Sequence, residues 1–182
     1  MKKSVLFILM TLAVWLFAGC ASLPEPKSSD SNMLYGFARY KGLYVFGGTS
    51  KSVSSEKVNN IRIIVKNLDD GMTYSTKTNA DGEFAIEGVT AGNYVVKYLG
   101  TEYRYDGKKW QIRYNVPTSE EGARFTVSNG VTNMGRIIVN LDTDSGEDYV
   151  SWANDFEGVA QKFKQLHSES KWNDCTWVNS KN

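Results

Sequence analysis

The chain has 182 residues, and 21 lysines and arginines stand against 20 aspartates and glutamates, for a net charge of +1. Such a balanced charge supplies no basic stripe to follow a phosphate backbone, which argues against nucleic acid as a partner. One histidine and two cysteines exclude a multi-histidine metal site and a disulfide framework. We therefore expect no metal and no cofactor.

The N-terminus has the pattern of an export signal. Two lysines precede an apolar run over residues 5–17, and a small pair, Ala18 and Gly19, stands directly before Cys20. A basic start, a short apolar stretch and small residues before the cut are typical of a secretory signal. The run is shorter than the ~20 residues that span a bilayer, so a permanent helical anchor is disfavoured.

Cys20 directly after this small pair resembles the lipobox of bacterial lipoproteins. The resemblance implies that residues 1–19 are a lipoprotein signal peptide and that Cys20, acylated by fatty acids such as palmitate, begins the mature protein. Two or more acyl chains hold a protein stably on a membrane. The resemblance also implies the cell envelope as the location, and the absence of aspartate at positions 21 and 22 favours the outer over the inner membrane. A plain cleaved signal is the alternative.

Residues 20–32 are predicted to be the lipidated cysteine and a flexible tether. Residues 21–32 contain two prolines and four serines and little apolar surface. Such a segment cannot bury enough surface to offset its chain entropy.

Residues 33–142 alternate apolar and polar side chains between turns rich in glycine, asparagine and aspartate. Ile61, Ile63 and Val65, for example, alternate with Arg62 and Lys66. Short strands separated by turns predict a mainly β protein, an antiparallel sandwich of seven or eight strands.

Residues 143–182 are predicted to form a C-terminal amphipathic helix and a polar tail. Apolar residues between Tyr149 and Leu166 recur at helical spacing. Asp144 or Ser145 is the predicted N-cap of this helix.

Three motifs follow one another in the middle of the chain: residues 61–65 (IRIIV), residues 78–86 (TNADGEFAI) and residues 88–96 (GVTAGNYVV). This stretch resembles the carboxypeptidase regulatory-like domains, a β-sandwich family related to transthyretin-like and starch-binding-like folds. Leu34-x-Gly36-x-Ala38 is similar to the opening strand of that family. The resemblance implies a fold and says little about function, because such folds host many roles.

An aromatic hairpin is the candidate ligand site. Its four aromatic residues flank a predicted turn at Asp106 and Gly107; they are Tyr103, Tyr105, Trp110 and Tyr114. Exposed rings would stack on sugar faces, whereas buried rings would be ordinary core, which is the more common role.

The helix face with Trp152, Phe156 and Phe163 is the candidate partner surface. It either covers the open side of the sandwich, the preferred interpretation, or docks into the groove of a partner.

His167 and Cys175 could form a thiol nucleophile and its base. They lie in a polar tail without an evident orienting group, so we expect no catalytic residue and no enzyme. Cys175 is either free or paired with another chain.

Together these patterns predict a membrane-anchored envelope lipoprotein that acts as a non-catalytic binding or structural module, with a protein partner preferred. The alternative is a carbohydrate-binding module that uses the aromatic hairpin. An envelope hydrolase or thiol enzyme is a weaker alternative.

Overall fold

The computed structural model describes residues 23–28, 31–46, 49–53, 60–105, 108–117, 122–141 and 149–181. For residues 42–46, 49–53, 103–105, 108–110, 112 and 141 within these ranges, only the backbone is described. The predicted signal peptide, Cys20, the Asp106–Gly107 turn and both candidate N-cap residues lie outside the described residues.

The described residues contain eleven strands, one α-helix and one short 3₁₀ helix. In chain order the strands are β1 (Asn32–Phe46), β2 (Thr49–Val53), β3 (Arg62–Asn67), β4 (Thr73–Lys77), β5 (Glu83–Glu87), β6 (Gly92–Tyr105), β7 (Lys108–Asn115), β8 (Arg124–Val127), β9 (Gly130–Leu141), β10 (Tyr149–Ala153) and β11 (Trp177–Asn179). Helix α1 (Phe156–Leu166) follows β10, and the 3₁₀ helix (Lys171–Asp174) precedes β11.

The first sheet has the strand order β10-β9-β1-β2, with β5 also beside β1 and β11 also beside β9. Strands β1 and β9 run parallel, and so do β9 and β11. The predicted mainly β sandwich is confirmed. This sheet is nevertheless mixed, whereas antiparallel strands were predicted. Parallel neighbours need a long connection, and the whole second sheet lies in the connection between β1 and β9.

The second sheet has the order β4-β3-β6-β7, with β8 also beside β6, and all of its pairs are antiparallel. Alternation along β3 explains its place in the sheet. Ile63 and Val65 are buried between the two sheets, whereas Arg62 and Lys66 are exposed.

The fold has three layers: α1, the first sheet and the second sheet. Leu34 and Ala38 of β1 belong to the core between the sheets. Tyr35 and Phe37, on the other face of β1, pack in a second cluster with Phe163 of α1. The outer face of the second sheet is consequently the broad face that α1 leaves uncovered.

The predicted start of the helix is wrong, because Tyr149–Ala153 forms strand β10 against β9. Val150 is buried and Trp152 half-buried in this strand, while Tyr149 is exposed. The segment therefore also has a period of two, which suits pairing along the edge of β9. Helix α1 begins only at Phe156. With 11 residues, it is too short to cross a bilayer, and the described part of the chain holds no longer apolar helix.

Part of the predicted tether is docked on the domain. Trp172 donates from its indole Nε1 to the Pro24 carbonyl oxygen at 2.8 Å. The Lys171 amide donates to Glu25 Oε2 at 3.0 Å, and Leu23 packs against the second cluster. The chain thus joins the domain at the α1 side, only three residues after Cys20.

Candidate functional site

The outer face of the second sheet forms an open groove of about 840 Å³. We define the groove by the outward residues of β3, β4, β6 and β7. Side chains alternate along each strand. The outward residues therefore line the groove, and the residues next to them in the chain point into the core. Its lining is mainly polar and includes Arg62, Lys77, Tyr98, Gln111, Arg113 and Asn115.

Three cations stand in one line across the groove. Lys77 of β4 pairs in register with Arg62 of β3, Arg62 pairs with Gly100 of β6, and Gly100 pairs with Arg113 of β7. Lys77, Arg62 and Arg113 are all exposed. We call these four positions the cationic row. Lys77 and Arg62 stand directly opposite one another, an arrangement of like charges that destabilises a sheet.

Gly100 makes room for an aromatic ring in the middle of this row. A Cβ atom at Gly100 would overlap the Tyr98 ring, so the ring lies across the glycine on the outer face. Tyr98 is half-buried and lines the groove. The result is a flat aromatic surface with Arg62 on one side and Arg113 on the other.

A chain of hydrogen bonds orients the β7 side of the groove. Arg113 donates from Nη2 to Gln111 Oε1 at 2.5 Å. Gln111 in turn donates from Nε2 to Glu102 Oε1 at 2.5 Å. Glu102 therefore contributes one carboxylate to a groove that has three cations, and the Arg113 guanidinium is held in position through Gln111.

Sequence reasoning missed the cationic row. The sequence does show Arg62, Lys77 and Arg113 at polar positions of strands in which polar and apolar residues alternate. Their alignment depends on the register of four strands, which the sequence does not state.

The aromatic hairpin is formed as expected in the backbone. Strands β6 and β7 are antiparallel, and Tyr103 pairs in register with Trp110. The side chains of Tyr103, Tyr105 and Trp110 lie outside the described residues. Tyr114 is half-buried and packs against the core between the sheets, so it does not line the groove.

The three candidate partner-binding residues do not form one stripe. Phe163 is fully buried, and its ring centroid lies 4.7 Å from that of Tyr35 and 5.0 Å from that of Trp177. Trp152 is on β10 and packs against the core between the sheets. Phe156 is half-buried, and its carbonyl oxygen accepts a hydrogen bond from Asn133 Nδ2 at 2.8 Å.

A second polar cluster surrounds the buried carboxylate of Glu83. Tyr35 donates from its hydroxyl to Oε1 at 2.5 Å, and His167 Nε2 is hydrogen-bonded to the same oxygen at 2.6 Å. Asn79 Nδ2 donates to Oε2 at 2.7 Å. Burial, and then the hydrogen bond to Glu83, raises the pKa of the Tyr35 hydroxyl far above its usual range. The groups satisfy one another, which is the behaviour of a structural network.

Cys175 is not arranged as an activated nucleophile. Burial, and next the neighbouring Asp174, raises the pKa of its thiol. Activated thiols need the opposite shift. Its Sγ atom lies 3.7 Å from the Lys171 carbonyl oxygen, whereas His167 is engaged with Glu83. Within the described ranges, no group of three or more histidine, cysteine, aspartate or glutamate side chains is placed to hold a metal ion.

The two packed sheets define a β-sandwich domain. The family model of the carboxypeptidase regulatory-like domain matches residues 47–133. These residues, which include β2 to β8 and the start of β9, therefore form a carboxypeptidase regulatory-like domain, and the resemblance noted in the sequence is confirmed. The family is non-catalytic and often serves as a binding module. Strand β1, α1 and the last two strands lie outside the matched range.

No curated protein matches the chain. Among solved structures, a leucine-rich repeat protein from Bacteroides thetaiotaomicron is 16% identical, with a TM-score of 0.40 over 63% of this chain and 14% of its own. A 9R-lipoxygenase from Cyanothece is 11% identical, with a TM-score of 0.31 over 66% of this chain and 18% of its own. The chain thus spans less than a fifth of either protein, and neither similarity carries an argument about function.

Proposed function

We propose that this protein is a lipid-anchored, non-catalytic binding protein of the bacterial cell envelope, and that it holds its ligand in the groove of the second sheet. The observation that carries the proposal is the composition of this sheet face, which α1 does not cover. It combines the Tyr98 ring, three cations and several amides around an open depression. The other broad face of the sandwich is occupied by α1.

The attachment of the N-terminal segment supports an orientation at the membrane. Leu23 is docked on the α1 side, and three residues of extended chain from Cys20 to Leu23 reach only ~10 Å. Acyl chains on Cys20 therefore place the α1 side next to the bilayer. The groove, two layers away, faces outward to the medium or the neighbouring envelope layer.

The composition of the groove favours a carbohydrate as ligand. Tyrosine offers a flat apolar face together with a polar hydroxyl. The carboxamides of Asn60 and Asn115 can both donate and accept hydrogen bonds, as sugar hydroxyls require. The groove is the carbohydrate site that we propose. The aromatic hairpin stays a prediction, because the side chains of Tyr103, Tyr105 and Trp110 lie outside the described residues.

A protein partner is the second candidate. The side chain of Phe163, which the sequence offered for such a contact, is buried inside the molecule. A protein partner would therefore bind on the groove face through polar contacts, and the outer membrane remains the proposed location in either case.

Two measurements test the proposal. Labelling of growing cells with a fatty-acid analogue should mark the wild-type protein and leave the Cys20→Ala variant unlabelled. The Cys20→Ala protein should bind to a glycan array. Adding the control substitution Tyr149→Ala, which removes an exposed ring from the first sheet, should leave this binding unchanged. Tyr98→Ala should weaken it at least tenfold. An unlabelled wild-type protein would contradict the anchoring, and an array without any bound glycan would contradict the carbohydrate site.

A further inference from the structure

The charge of the groove is unbalanced. The cationic row brings together Lys77, Arg62 and Arg113, and Glu102 is the one carboxylate among the residues that line the described groove. Of the described carboxylates, none forms an ion pair with Arg62 or Lys77. Since Lys77 and Arg62 are cross-strand neighbours with like charges, they repel one another. A bound anion would relieve this repulsion.

The length of the row suits a ligand that carries several anionic groups along its chain. Neighbouring strands are about 4.8 Å apart, so the backbones of Lys77 and Arg113 are separated by three spacings, about 14 Å. A row of this length presents its cations to successive acidic groups of one extended ligand. A polymer with repeated acidic groups matches it, and the planar guanidinium of arginine binds carboxylate or sulfate through two hydrogen bonds.

The direction of the row argues against an acidic peptide. A peptide that extends a sheet lies along an edge strand and parallel to it. The cationic row runs across the strands, over the middle of the sheet. The Tyr98 ring, which lies over Gly100 within this row, supplies an apolar stacking surface between the charges.

The layer order argues against lipid head groups. The first sheet lies between the groove and the second cluster, against which Leu23 packs. Stacked sheets alone are about 10 Å apart, so the cationic row faces away from the membrane that Cys20 would enter.

We propose that the groove binds an acidic polysaccharide, whose carboxylate or sulfate groups pair with the cationic row while a sugar ring stacks on Tyr98. This inference rests on the proposed function and adds the chemical class of the ligand. It goes beyond the family match, which says nothing about the charge of any ligand.

The experiment is titration of the Cys20→Ala protein with polygalacturonate, dextran sulfate and neutral dextran at low and at high salt. We expect at least one acidic polymer to bind at least tenfold more tightly than dextran, and its affinity to fall as salt increases. The polymer that binds more tightly identifies the acidic group. Arg62→Gln and Arg113→Gln should each weaken this binding about tenfold. Arg39→Gln, which removes an exposed arginine from β1, is the matched control and should bind as wild type.

The outcomes separate the two proposals. Neutral dextran bound as tightly as the acidic polymers would overturn this inference and leave the proposed carbohydrate function standing. Polyglutamate bound as tightly as polygalacturonate would overturn the assignment to a polysaccharide. The same conclusion would follow if the protein bound anionic vesicles and Arg62→Gln abolished that binding. Failure of every polymer and array glycan would overturn both proposals. Thermal melting of each variant shows whether the fold is kept.

Discussion

His167 Nε2 lies 2.6 Å from Glu83 Oε1, although 84 positions separate the two residues in the chain. Glu83 belongs to the carboxypeptidase regulatory-like domain, and His167 is the first residue after α1. The contact therefore fastens the C-terminal helix to the domain. It also brings the helix over β1, where Tyr35 donates to the same carboxylate.

Removal of the Glu83 carboxylate should destabilise the protein. Glu83→Ala leaves the buried Tyr35 hydroxyl and the Asn79 amide without their acceptor. We expect a loss of about 1–3 kcal/mol in the free energy of unfolding, measured in urea. Glu169→Ala, at an exposed position beyond α1, is the control and should change stability by less than about 0.5 kcal/mol. Equal effects of the two substitutions would show that the network does not hold the helix.

Alkaline pH should weaken the fold through Tyr35. Its pKa is raised in the folded state, whereas the unfolded chain has the ordinary value of 10.0. The unfolded state therefore binds fewer protons above pH 10.0, so this contribution to stability is complete below that pH and is lost as the pH rises further.

The measurement for this effect is the free energy of unfolding between neutral pH and pH values above 10. Tyr35→Phe should show a shallower decline with pH than wild type. Tyr149→Phe, at an exposed position on β10, should decline like wild type. Identical slopes for wild type and Tyr35→Phe would contradict the assigned direction.

The docked N-terminal segment should contribute to stability. A chain that begins at Leu23 keeps the hydrogen bond from Trp172 to Pro24 and the contact of Leu23 with the second cluster. A chain that begins at Lys27 loses both and exposes the Trp172 indole. We expect the shorter chain to be less stable by about 1–3 kcal/mol in urea. The same midpoint for both chains would mean that residues 23–26 are a free tether.

Gly100 and Tyr98 should act as one unit in ligand binding. Gly100→Ala places a methyl group where the Tyr98 ring lies and forces the ring to move. We expect Gly100→Ala to weaken glycan binding about as much as Tyr98→Ala, and the double variant to be no weaker than Tyr98→Ala alone. Calorimetric titration of the three variants checks this. Additive losses would indicate that the glycine acts independently of the ring.

Much of the fold could be predicted from local sequence patterns. Alternation around Ile63 and the turn at Asp81 and Gly82 predicted the strands of the central domain, because a period of two and turn chemistry are local properties. The direction of β1 relative to β9 could not be predicted from the sequence, since side chains alternate in the same way in parallel and antiparallel strands. Trp152 was predicted on a helix but lies on a strand, because its segment fits both the helical period and the strand period of two. Pairing with the edge of β9 favours the strand.

The candidate site was harder to predict from the sequence than the fold. Tyr98 and Arg62 are distant in the chain and meet only through the register of β3 and β6. The sequence drew attention to Trp110 and its aromatic neighbours, because clustered aromatics are conspicuous in a chain. A row of cations contributed by separate strands has no such local signature.

The acidic-polysaccharide site is tested most sharply by an NMR titration of the isotopically labelled Cys20→Ala protein with oligosaccharides of the acidic polymer that binds more tightly. We expect amide resonances of β3, β4, β6 and β7 to shift on addition of the ligand, with the largest changes around Arg62, Tyr98 and Gly100. Resonances of α1 and β10 should remain in place. Shifts confined to α1 or β10, with the groove strands unchanged, would contradict the account.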